Sequence, residues 1–151
     1  EISECLVGSE MCIRDRSGAE FRVLDIHLDH KSDDARREQM KMIVGECAQY
    51  ADGFPQIICG DFNSGIENAP VACLRDAGWQ EAYEAVHGPG EAGFTYHGFK
   101  GPDYRKKNAR RIDFIFVRGN LQPVAAEILR DKVDGLYPSD HYFLMSDFII
   151  Q

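Results

Sequence analysis

Along FRVLDIHLDH, residues 21–30, the side chains fall into two sets. Phe21, Val23, Asp25 and His27 share one face of an extended chain and Arg22, Leu24, Ile26 and Leu28 the other, the two-residue period of a strand. Asp25 and His27 therefore point the same way. The period then changes. Ser32 stands where a helix N-cap belongs, Asp33 and Asp34 supply acid to the first turn, and Met40, Ile43, Val44, Cys47 and Ala51 recur at helical spacing. This predicts an amphipathic helix reaching about Tyr50. Pro55 precedes the apolar run QIIC, a strand that ends on Asp61, and a short helix follows from Pro70 to Ala77, stopped by Gly78.

Between Trp79 and Asn108 the chain is rich in Gly, Tyr, His and charge, so loops are expected around one short strand at Gly93–His97. In RRIDFIFV, Ile112, Phe114 and Phe116 alternate with Asp113, Ile115 and Val117. A turn at Gly119–Asn120 leads into VAAEIL, and YPSDHYFLMSDFII feeds a polar step into a last apolar strand. Strands alternating with covering helices imply an α/β architecture, or α+β layers. Residues 1–18, EISECLVGSEMCIRDRSG, show neither period, and CLVGSEMCIRDR looks like translated sequencing-adapter text. They are set apart as poorly patterned and artefactual, leaving 19–151 as the expected domain.

Composition narrows the class. With 151 residues, 44% of them hydrophobic and 11% aromatic, the chain can build one domain around a real core. A net charge of -8 opposes indiscriminate binding to polyanions, because that affinity comes from Lys and Arg neutralising phosphates. The five cysteines are odd in number and form no C-x-x-C pair, which favours reduced, mostly buried thiols over disulfides or a thiolate zinc site. No run of about 18 apolar residues could span a bilayer, and neither a basic nor an apolar leader segment opens the chain. The expectation is a soluble protein, cytoplasmic in preference, with no obligate protein partner evident.

Polar groups sit at comparable places along these strands: His27 late in its strand, Asp61 and Asn63 after theirs, Asp113 inside RRIDFIFV, and Asp140–His141 before the last strand. Taken singly, each has a bland explanation as a core histidine, a turn residue or a helix cap. Asp113 resists this, since a carboxylate among Ile112, Phe114, Ile115 and Phe116 is costly to bury without a partner. A calcium loop of D-x-N-x-G type beginning at Asp61 is excluded by Ile66 where glycine is needed and Ala72 where glutamate is needed.

The strings DIHLDH, GDFNS, TYHGF, RRIDFIFV and PSDHYFL, in that order, resemble the endonuclease/exonuclease/phosphatase superfamily of metal-dependent phosphodiesterases and phosphatases. The resemblance implies catalytic roles for His27, Asp61, Asn63, Asp113 and His141. Asp61 would orient or deprotonate the attacking water, and Asn63 would bind the scissile phosphate. Asp113 would fix the tautomer of His141, while His27 would stabilise charge in the transition state or on the leaving oxygen. Asp140, Asp61 and Asn63 would hold magnesium or manganese, a choice that suits hard oxygen ligands. Asn63, His27, Tyr96, Arg105 and Arg111 would meet the substrate, the two arginines lying in the basic run YRKKNARR. Tyr96 or Phe99 of TYHGF could equally stack a base or sugar or pack in the core.

The implied fold is part of a four-layer β-sandwich flanked by helices. About the C-terminal half is matched; the N-terminal half, with its metal-binding glutamate, has no counterpart here, and exposed apolar surface is expected in consequence. The implied activity is metal-dependent hydrolysis of a phosphodiester or phosphomonoester by direct attack of water, on nucleic acid, nucleotide or a lipid headgroup. The alternative is an inactive fragment or a non-catalytic module that binds phosphate esters.

Overall fold

The strand anticipated at Phe21–Leu28 forms as β2 (Glu20–His27), and its even-numbered face is the buried one, with Leu24 and Ile26 turned into the core. The structure is a computed structural model that describes residues 7–15, 18–90, 92–104, 107 and 109–151. β2 runs parallel to β3 (Gln56–Asp61), which pairs antiparallel with β5 (Asp113–Arg118). With β1 (Val7–Arg14) on one edge and β4 (Gln80–Glu81) on the other, they make a five-stranded sheet in the order β1-β2-β3-β5-β4. A parallel neighbour needs a crossover, and helix α1 (Asp33–Cys47) supplies it between β2 and β3. Ser32 caps α1 by accepting from the Ala35 N–H, while Met40, Ile43 and Cys47 enter the core. The helix stops at Cys47, short of the Tyr50 anticipated.

Helix α2 (Ala69–Asp76) packs beside α1 and adds Val71 and Leu74 to a core that includes Ile58, Phe62, Phe114 and Phe116. Helix α3 (Ala82–His87) contacts β6 (Leu121–Leu129), which pairs antiparallel with β7 (Phe143–Ile150) as a separate two-stranded sheet. Phe143, Met145 and Ile149 of β7 and Val124 of β6 stand exposed, the apolar surface anticipated from sequence. Among the described residues no helix is long and apolar enough to cross a membrane.

Four elements differ from the sequence pattern. Part of the segment set apart, Val7–Arg14, pairs residue for residue with β2. Ser9–Cys12 are all exposed, so this edge strand is held by its backbone ladder and needs no alternation of side chains. β4 and α3 occupy a stretch read as loop, each too short to show a period. The strand expected at Gly93–His97 reduces to a single bridge between Tyr96 and His141. The described cysteines are free, but of those expected to be mostly buried only Cys47 is, while Cys59 and Cys73 are half-buried and Cys12 is exposed.

Candidate active site

Sheet register builds the site. His27 on β2 is the direct neighbour of Asp61 on β3, and Asp61 is the direct neighbour of Asp113 on β5. Directly paired residues project to the same face, so the three side chains form one row at the end of the central strands. Gly60 makes this possible: a Cβ there would lie 2.0 Å from the Ile26 carbonyl oxygen, and its φ of 128° disfavours any side chain. The chain then turns at Asn63, which takes a left-handed φ of 48°. Its N–H donates to Asp61 Oδ1 at 2.7 Å and its Nδ2 donates to the Leu28 carbonyl at 2.8 Å, so Asn63 is locked beside Asp61.

His141 arrives from the opposite side, placed by the TYHGF segment. The N–H groups of His97 and Gly98 donate to the Asp140 carbonyl, the Tyr142 N–H donates to the Thr95 carbonyl, and Tyr96 bridges His141. The buried Thr95 hydroxyl also accepts from the N–H groups of Ile112 and Asp113 at 3.1 and 3.3 Å, tying the start of β5 to the same clamp. His141 Nδ1 then lies 2.9 Å from Asp113 Oδ2, which answers how Asp113 is accommodated among apolar neighbours. The other ring nitrogen, Nε2, points toward Asp61 Oδ2 at 4.0 Å, and His27 Nε2 approaches that oxygen at 3.6 Å.

The electrostatics follow from these contacts. The hydrogen bond to Asp113 raises the pKa of His141 above its ordinary value and favours the imidazolium. Burial raises the pKa of Asp61, and the hydrogen bond donated by the Asn63 N–H offsets only part of that rise. A cleft of about 750 Å³ opens over the row, lined by His27, Asp61, Asn63, Tyr96, Asp140 and His141, with His30, Tyr104 and Arg110 on its walls. Tyr96 packs edge-on against His141 with centroids 5.1 Å apart.

The expected substrate contacts divide. Tyr96 lines the cleft, whereas Phe99 is 63% exposed and lines a different hollow. Arg105 lies outside the described residues. Arg111 requires correction: it is 4% exposed and directs both terminal nitrogens to Glu81 at 3.2 and 3.1 Å, with its guanidinium over Phe114. An exposed loop cation was anticipated, but Glu81, thirty residues away, draws it inward. The sequence carried no signal for Glu81 as that partner, nor for the supporting role of Thr95.

The model of the Endonuclease/Exonuclease/phosphatase family matches residues 7–141, and the chain belongs to that family. Among solved structures, a functionally unknown conserved protein from Enterococcus faecalis aligns with a TM-score of 0.75 at 26% identity, over 87% of this chain and 51% of its own. An endonuclease/exonuclease/phosphatase family protein from Bacteroides thetaiotaomicron aligns with a TM-score of 0.81 at 21% identity, over 95% and 56%. A mannosyl-6-phosphatase from Bacteroides thetaiotaomicron aligns with a TM-score of 0.74 at 18% identity, over 97% and 67%. The chain thus spans about half the length of the first two. No curated protein matches it by sequence.

Enzymes of this family generally depend on a divalent metal, and the donors here fit a hard cation in part. Asp61, Asp113 and His141 each offer a ligand atom within 4.8 Å of the others. Within that group His141 and Asp113 already engage each other, whereas Asp61 Oδ2 has no ion-pair contact shorter than 3.6 Å among the described residues and is the oxygen a cation would find open. Asp140 lines the same cleft without joining the group.

Proposed function

We propose that the chain carries the reactive face of a phosphoester hydrolase that attacks its substrate directly with water. The observation that carries this reading is the row His27–Asp61–Asp113, closed by His141 with one nitrogen on Asp113 and the other turned to Asp61. Burial makes Asp61 a stronger base than a surface carboxylate, so it takes the proton of the attacking water. The water oxygen bonds to phosphorus, the ester P–O bond breaks, and its electron pair leaves with the alcohol oxygen. Asp113 keeps His141 protonated through Nδ1, so Nε2–H donates to a nonbridging phosphoryl oxygen as charge develops there. His27, 58% exposed at the cleft rim, donates to the leaving oxygen. Asn63 has a second Nδ2 hydrogen free of Leu28 to hold the phosphate.

Magnesium or manganese, held by Asp61 and Asp140 with the amide oxygen of Asn63, would supply neutralising charge at the phosphate. The acidic balance of the chain favours small phosphate esters, such as nucleotides, sugar phosphates or lipid headgroups, over duplex DNA. The fold shared with a mannosyl-6-phosphatase is in keeping with that choice.

The test is phosphate release from p-nitrophenyl phosphate and its diester by the full chain, with magnesium or manganese and with chelator. Turnover that needs metal and falls roughly a thousandfold in His141→Ala is expected. A second reading, a phosphate-ester-binding module without turnover, draws support from Asp140, which lines the cleft but stands outside the group of Asp61, Asp113 and His141 that could hold a metal. Binding of the esters with no release at any metal concentration would favour it.

A further inference from the structure

Arg110 was not among the residues singled out by sequence pattern, yet among the described residues it is the arginine that lines the cleft. It precedes the buried Arg111 and is itself exposed. The other described arginines have partners: Arg14 has Glu20, Arg22 has Glu10, Arg36 has Asp33, Arg37 has Asp34, Arg75 has Glu84, Arg111 has Glu81, Arg118 has Asp52, and Arg130 donates to the Ala92 carbonyl. Among the described residues Arg110 has no ion pair. Its side chain lies across the backbone of Gly65, two residues beyond Asn63. A Cβ at Gly65 would stand 2.7 Å from Arg110 Cδ and 2.9 Å from Nε, so the absence of a side chain there is what lets the arginine lie down toward the site.

Arg110 also borders a second hollow of about 230 Å³, lined by Gly65, Glu67, Asn68, Gly90 and Arg111. One guanidinium therefore separates the reactive cleft from an adjoining space. The reactive end bears Asp61, Asp113 and Asp140 in a chain of net charge -8, which repels any substrate group with more than the charge being processed there. A fork of donors that is ion-paired with no carboxylate among the described residues, next to that end, suits an anion.

We infer that Arg110, seated on Gly65, receives a second anionic group of the substrate, so that the preferred class is a phosphate ester carrying a further phosphate or carboxylate. The inference rests on the hydrolase reading for what reacts, but its test reads binding alone. The probes are alkyl phosphates of matched length ending in phosphate, carboxylate or hydroxyl, titrated into the full chain by calorimetry. The bisphosphate is expected to bind roughly tenfold to a hundredfold tighter than the hydroxyl-ended probe. The carboxylate arm tells which anion is preferred. Arg110→Ala brings that ratio to about one, Arg110→Lys recovers part of it, and Gly65→Ala lowers it by displacing the guanidinium without removing it. His141→Ala, which ends turnover under the hydrolase reading, leaves the ratio intact, so the two ideas fail separately. A ratio near one in the wild type, no binding of any probe, a ratio unchanged in Arg110→Ala, or equal weakening of all probes in that variant would overturn the inference.

Discussion

Two charged clusters meet the same short stretch of chain and are built oppositely. Arg111 pairs with Glu81 at 3.1 Å with side chains 5% and 2% exposed, and its guanidinium is sandwiched near Tyr83 and Phe114. Two residues later, Asp113 joins His141 and Asp61, and the latter two line an open cleft. The first cluster is closed: Glu81 also accepts from the Glu84 N–H, so the pair fastens β4 and α3 to β5 and leaves no acceptor seeking a partner. In the second, the ion-pair contacts of Asp61 Oδ2 among the described residues are those of 3.6 and 4.0 Å. Satisfaction of charge, more than its burial, separates a structural group from a chemical one.

Breaking the closed cluster should have the largest effect. Arg111→Met strands Glu81 in the interior and is expected to cost about 3–5 kcal/mol of stability by chemical denaturation, while adding Glu81→Leu returns most of the loss. A double variant as unstable as the single would show that the pair holds nothing together. Next comes Asp113→Asn, expected to lower turnover by roughly a hundredfold or more through the lost orientation of His141, with stability changed by only about 1 kcal/mol. Equal losses of stability in Asp113→Asn and Arg111→Met would erase the contrast.

The pH dependence is smaller. The folded-state pKa of His141 is raised by Asp113, so its stabilising contribution is complete below the unfolded value near 6.5 and is lost as pH rises through the folded one. Burial raises Asp61 as well, so its effect has the same sign: stability declines as pH climbs from about 3.9 through its folded value. Unfolding free energies across mildly acidic to mildly alkaline pH should therefore fall more steeply in wild type than in His141→Gln, by no more than about 1.4 kcal/mol per pH unit for one proton. An identical slope in the two proteins would remove His141 from the linkage. The smallest effect belongs to Arg118→Ala, whose partner Asp52 is 99% exposed; about 0.5 kcal/mol or less is expected in thermal unfolding.

What was legible in the sequence was local. Alternation placed β2 and β5 and an apolar run placed β3, so His27, Asp61 and Asp113 could be set at comparable places on their strands before any register was known. Ser32 announced the start of α1 because capping is a contact between neighbours in sequence. The direction of Arg111 was not legible, since it depends on Glu81 across thirty residues and on two aromatic faces. Likewise β1 shows no alternation because neither of its faces is buried, and Thr95 is an ordinary threonine until the fold brings it under β5. Arg110 was hidden beside Arg111 in one basic run, and only the missing side chain of Gly65 distinguishes it.

The most direct test of the open cluster is ester hydrolysis by purified Asp61→Asn, in samples whose unfolding midpoint at neutral pH is measured alongside. Because burial penalises the charged carboxylate, the amide should leave the midpoint at or above that of wild type while turnover falls at least about a hundredfold. Retained turnover, or a midpoint that collapses with it, would contradict the assignment of Asp61 as the reactive group and place this cluster with Glu81 and Arg111 among the structural ones.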